Sequence, residues 1–138
     1  MIQPSTSAFV NARAASAYGR AVRPRADANM IVMLYDGAIG QLAHARAAIL
    51  AGAIEERWRH VRKAVAIVEG LQGSLDHAAG GEVAALLDRF YDYVGMRLVQ
   101  IDLRNDPGIC DELMARLGEM RASWSAIAAG ASVPSAQT

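Results

Sequence analysis

The chain has 138 residues and a mass of 14.7 kDa, the size of one compact domain with short ends. Fourteen Lys and Arg balance 14 Asp and Glu, and the pI near 6.8 argues against a surface devoted to gripping a phosphate backbone. The apolar fraction is 53%, inflated by 28 alanines, and no run approaches the roughly 18 apolar residues of a membrane span. One cysteine, Cys110, cannot form an internal disulfide and suits a reducing compartment.

Residues 1–25 carry Arg13, Arg20, Arg23 and Arg25 with no acid, several Ser and Ala, and prolines at Pro4 and Pro24. They are read as a flexible basic segment holding a short helix over 12–18. An Arg-rich, acid-poor composition also suits a mitochondrial transit peptide, but no cleavage-like context follows. A secretory signal is excluded because no apolar core stands behind a basic start. Residues 26–129 form the domain proper, and 130–138, small and polar with Pro134, form a disordered tail.

Within the domain, apolar residues recur at helical spacing. The first stripe is Ile31, Leu34, Ala38, Leu42, Ala45 and Ile49, with Asp27 as N-cap and Gly52 as a left-handed stop. The second runs Ile54, Trp58, Val61, Val65, Val68, Leu71 and Leu75, with Glu55 and Glu56 favouring its N-terminus. The third, after the Gly80-Gly81 break, is Val83, Leu87, Phe90, Val94, Leu98 and Ile101. The fourth is Leu113, Leu117, Met120, Trp124 and Ile127, opened by Asp106 as N-cap and Pro107 at the first helical position. No segment alternates with period two. The links are short, so the pattern predicts an all-α, antiparallel four-helix bundle preceded by a short helix.

Two of these helices are apolar over more than one face. From Asn29 to His44 the sole formal charge is Asp36, and residues 30–35 wrap most of the circumference with apolar side chains. The third helix adds Tyr91, Tyr93, Met96, Val99 and Leu103 to its core stripe. Such width marks either a helix buried on most sides or an exposed groove for an amphipathic partner. Gly37 and Gly40, one turn apart, are best explained by close packing within the bundle.

Chemistry-bearing motifs are sparse. Glu56 and His60 have ligand spacing but no second such pair, so no metal site is expected. Residues 102–112 are acid-rich, yet Arg104 and Pro107 break the calcium-loop pattern. Asp88 and Asp92 read as a solvated face, and Cys110 as incidental. The alternative to a binding protein is a histidine phosphotransfer module, since His60-Val61-Arg62-Lys63-Ala64 resembles the His-x-x-Lys-Gly signature of those four-helix bundles. Here Ala64 replaces the glycine that makes room for the incoming partner.

A wider set of blocks carries a second resemblance. They are Met33-Leu34-Tyr35-Asp36-Gly37-Ala38-Ile39; Lys63-Ala64 with Ile67 and Leu71; Ser74-Leu75-Asp76 with Gly80-Gly81-Glu82-Val83-Ala84; Tyr91-Asp92-Tyr93 with Arg97-Leu98 and Leu103-Arg104-Asn105-Asp106; and Trp124. In order and spacing, over roughly 18–124, they are similar to the FliS family of flagellar secretion chaperones. The resemblance implies a cytoplasmic four-helix bundle that is not an enzyme and needs no cofactor. Such a chaperone, a monomer binding one cargo chain, holds the disordered C-terminal segment of flagellin, prevents premature polymerisation and delivers it to the flagellar type III export gate. Carried over by position, Met33, Leu34, Tyr35, Ile39, Tyr91, Tyr93, Leu98 and Leu103 become candidates for the cargo groove, and Tyr18 for docking at the gate. Three departures stand out. Ala26-Asp27 replaces the family's usual Ser-Pro, Ile101-Asp102 replaces Ala-Asn beside the proposed cargo surface, and the N-terminus is longer and more basic.

Overall fold

The structure, a computed structural model, describes residues 17–22 and 27–130. The expected start of the short N-terminal helix, Arg13, Arg23, Arg25 and the tail beyond Gly130 lie outside these residues. Four long helices account for most of the rest: α1 (Ala28–Ala51), α2 (Ile54–Gly73), α3 (His77–Arg104) and α4 (Pro107–Ala128).

Local chemistry sets the ends. Asp27, Asp76 and Asp106 are N-caps whose carboxylates accept from the backbone N–H of Met30, Ala79 and Gly108 respectively. Gly52 ends α1 at φ 70°, and Asn105 ends α3 at φ 52°, both left-handed. The Gly80-Gly81 break falls inside α3: Gly81, at φ 52° and ψ −126°, separates a first turn from the long remainder.

Two- and three-residue links leave sequence neighbours antiparallel, and the helices pack in a ring in which α1 touches α2 and α4, and α3 touches α2 and α4. Cross-links fix the register. Arg46 and Arg121 pair with Asp111 and Asp36 between α1 and α4. Gln72 meets Asp88 and Asp92 between α2 and α3, and Arg97 meets Glu112 between α3 and α4. Ile31, Leu42, Val61, Leu71, Val94, Ile101, Leu113 and Leu117 fill the centre. Across it, the hydroxyls of Tyr35 and Tyr91 share a hydrogen bond of 2.7 Å, and burial pushes both phenols above their ordinary pKa.

The second stripe needs a correction. Trp58, expected in the core, is 55% exposed, Ile54 is exposed too, and Arg57 is the residue turned inward, at 9% exposure. Val61, Val68 and Leu71 keep the expected phase, and only the first turn differs, because Arg57 finds partners inside: its Nη1 donates to Asn105 Oδ1 at 2.8 Å and its Nε lies 3.3 Å from Asp102.

The segment 17–22 lies against the seam of the bundle. The Asp76 N–H donates to the Ala21 carbonyl at 2.7 Å, Val22 bridges Leu75, and the Tyr18 ring stands edge-on to Trp124 at 5.1 Å. Gly80 makes this contact possible, since a Cβ there would come within 2.5 Å of the Ala21 Cα.

Candidate functional site

The eight groove candidates do not share one surface. Tyr35, Tyr91 and Leu98 are buried. Leu34 lies on the strip Leu34–Gly37–Gln41–His44, which meets α2 where Gly37 faces Ile67 and Gln41 bonds His60; it is half-buried. Ile39, also half-buried, lies on the strip Asp36–Ile39–Ala43–Arg46 that meets α4. Tyr93 is turned to α4, its hydroxyl donating to Glu112. Met33 and Leu103 are open to solvent, at 70% and 76% exposure. Tyr18, half-buried on Trp124, is outside the cleft lining but near enough for its phenol to act electrostatically on Tyr35 and Tyr91; burial raises its own phenol pKa.

What the fold brings together is a cleft between α2 and α3, with a volume of about 330 Å³. Tyr91 and Leu98 reach its floor from the core, Val65 and Val68 line the α2 wall, and Gly95 and Val99 line the α3 wall. Along its α3 rim the exposed apolar residues Met96, Val99 and Leu103 succeed one another at spacings of three and four, forming one stripe. Exposed Trp58 stands on the α2 side. Two buried candidates, Tyr91 and Leu98, thus line this cleft and exposed Leu103 continues its rim stripe, whereas those on α1 point elsewhere. The apolar excess of the third helix contained Met96 and Val99 as a sequence signal, but the core stripe assigned to the second helix hid Trp58.

The ends of the cleft are polar and opposite in sign. Near the start of α3, Gln72 Nε2 donates to Asp88 Oδ1 at 2.8 Å and Asp92 Oδ1 at 2.9 Å, with Glu69 alongside on the lining. Near its end, Asp102 accepts from Arg62 at 2.9 Å and faces Arg57, while the Arg62 guanidinium lies 5.7 Å over the Trp58 ring. The carboxylate at 102 is therefore neutralised from α2 rather than left open on the surface.

No comparable constellation for catalysis is found among the described residues. The His60 ring stacks on His44 at 4.9 Å, its Nδ1 bonds Gln41 at 2.7 Å, and its Nε2 faces Glu56 at 3.6 Å. A carboxylate at that nitrogen repels a phosphoryl group. No group of three or more His, Cys, Asp or Glu is placed to hold a metal ion among these residues. Burial pushes the Cys110 thiol up to about 11, which keeps it an unreactive core residue. No described helix is long and apolar enough to cross a membrane.

Comparison with known proteins agrees with this picture of a binding bundle. The profile of the family described as flagellar protein FliS matches residues 11–131. The flagellar secretion chaperone FliSB of Pseudomonas aeruginosa is 39% identical over 104 residues, 73% of this chain and 82% of its own length. The flagellar secretion chaperone FliS of Salmonella typhimurium is 34% identical over 128 residues, covering 92% and 95%. The Bacillus subtilis chaperone of the same name is 30% identical over 95 residues, 69% and 70%. A family match over nearly the whole described bundle leaves no place for the phosphotransfer alternative: the chain belongs to the FliS family, a flagellar export chaperone and not an enzyme.

Proposed function

We propose that the α2–α3 cleft and the stripe on its rim hold the disordered C-terminal segment of flagellin in the cytoplasm. Bound there, that segment is kept from premature polymerisation and is delivered to the flagellar type III export gate. The observation that supports this reading most is the run Met96–Val99–Leu103, exposed beside a cleft floored by Tyr91 and Leu98. A monomeric protein has no structural use for three large apolar side chains in file at the surface. An amphipathic cargo segment has one: it orders as a helix with its own apolar face in the cleft.

The energetics suit transient custody. Covering the stripe gains apolar burial, while folding a disordered segment costs several kcal/mol in conformational entropy, so affinity stays moderate for the area buried. Leu103 then serves as an exposed contact and Tyr91 and Leu98 as the floor, while Met33, on α1, faces solvent away from this cleft. Tyr35, Leu34, Ile39 and Tyr93 act by holding α1, α3 and α4 in place. Tyr18, away from the cleft, remains the candidate for the export gate.

Titration calorimetry with the C-terminal segment of the cognate flagellin tests this. The expected result is a one-to-one complex with a large negative heat-capacity change. Absence of binding by the folded protein would dispose of the cargo reading. Tyr18→Ala is expected to spare that affinity and to impair export; lost affinity would move Tyr18 to the cargo site.

A further inference from the structure

The cleft is not electrically symmetric along its length. Glu69, Asp88 and Asp92 gather at one end, where the neutral Gln72 donates to the two aspartates. At the other end two arginines, Arg57 and Arg62, share the single carboxylate Asp102, an excess of one positive charge. Arg57 Nε and Asp102 Oδ1 face each other at 3.3 Å inside the bundle, while the Arg62 side chain, 38% exposed, lines the cleft. A half-exposed guanidinium beside that spare charge is suited to receive a further anionic group. From Asp92 to Asp102 is ten residues of α3, a span of about 15 Å, or about ten residues of a docked helix.

A bound helix has its own polarity, positive at the N-terminus and negative at the C-terminus. Resting on the cargo reading above, we infer that the cleft takes the cargo helix in one direction only. Its N-terminal end lies at Glu69, Asp88 and Asp92, and its C-terminal end, with the free α-carboxylate of the chain, lies at Arg62 and Arg57. The cargo helix thus runs parallel to α3. The opposite direction places the carboxylate among three acids and the positive dipole end against two arginines, so both ends repel. Trp58, stacked under Arg62, closes the arginine end as an apolar wall for the last turn.

The test uses two synthetic peptides of the flagellin C-terminal segment, one with a free C-terminus and one amidated. Against the unaltered protein, amidation is expected to weaken binding about tenfold. Against Arg62→Gln, the two peptides should bind alike, at the weaker level. A nitroxide on the last peptide residue should broaden the indole N–H signal of Trp58 far more strongly than one placed ten residues earlier. Equal affinities of both peptides for the unaltered protein would overturn the inference while leaving the cargo reading intact. So would broadening of the Trp58 signal only by the earlier label. Failure of both peptides to bind would remove the cargo reading and this inference together.

Discussion

Leu98 and Val99 are adjacent in sequence and opposite in role, and the pair separates fold from function. Leu98 is fully buried beneath the cleft, whereas Val99 is 50% exposed on its rim. Leu98→Ala removes buried methyl groups from a packed centre and is expected to cost about 2–5 kcal/mol of stability. Val99→Asp removes little packing in the free protein, and its effect on stability should stay within about 1 kcal/mol, including the helix propensity of Asp. In the complex that carboxylate faces an apolar segment with no partner. A penalty of roughly 2–4 kcal/mol follows, or about 30- to 700-fold in affinity. Urea denaturation and cargo calorimetry on both variants measure the two effects separately. A Val99→Asp protein that binds cargo within threefold of the parent would refute the placement of the cargo on this rim. One that loses stability as Leu98→Ala does would show that residue 99 is core.

Gly80→Ala drives a Cβ to 2.5 Å from the Ala21 backbone, so the segment 17–22 must come away. The Asp76 amide, which donates to Ala21, should then lose hydrogen-exchange protection while that of Val94 keeps it; unchanged protection at Asp76 would contradict the close-approach argument. Tyr35→Phe and Tyr91→Phe each strand one buried hydroxyl and should cost about 1–2 kcal/mol, with the double variant costing less than the sum. Strict additivity would mean that the two hydroxyls do not support each other. Glu112 is held down to about 2 by the Tyr93 hydroxyl, with Arg97 and Arg116 adding to it. Its folded pKa thus lies below the ordinary 4.5, so its contribution is complete above about pH 4.5 and is lost as pH falls towards 2. Glu112→Gln should flatten the urea midpoint over that window, and a slope matching the parent's would assign acid sensitivity to other groups.

The parts of this fold that could be read from residues are those decided locally. Asp27, Gly52, Asp106 and Pro107 act within a turn of themselves, and each stands where the spacing put it. The inward residue of the first turn of α2 is decided at long range. Trp58 outranks Arg57 on any apolar scale, but Arg57 is drawn inward by Asp102 and Asn105, more than 40 residues away. The same limit applies on α1. With residues 30–35 all apolar, the stripe accepts either Leu34 or Tyr35 between Ile31 and Ala38, and Tyr35 is the one fully buried. There its hydroxyl meets that of Tyr91 on a different helix. Among the glycines, Gly37 and Gly40 drew attention as a pair, yet Gly40 has nothing near it. The close backbone approach is at Gly80, whose neighbour Ala21 lies in a segment with no apolar periodicity to announce it.

The two over-wide helices turn out to be wide for different reasons. α1 meets α2 and α4 through Gly37, Ala38, Ala45 and Ala48, small residues that let neighbours close over most of its circumference; its apolar width is largely consumed as core. α3 is held on both flanks by polar links: Gln72 and the arginines of α2 on one side, Glu112 of α4 on the other. Such links fix a helix in register without covering it, so the apolar residues between them remain available. On the proposed cargo reading, α3 binds on its outer face and still stays in the bundle because of this division. Apolar seams on both flanks would draw Met96 and Val99 into the core, and no seams would let the helix leave with its cargo.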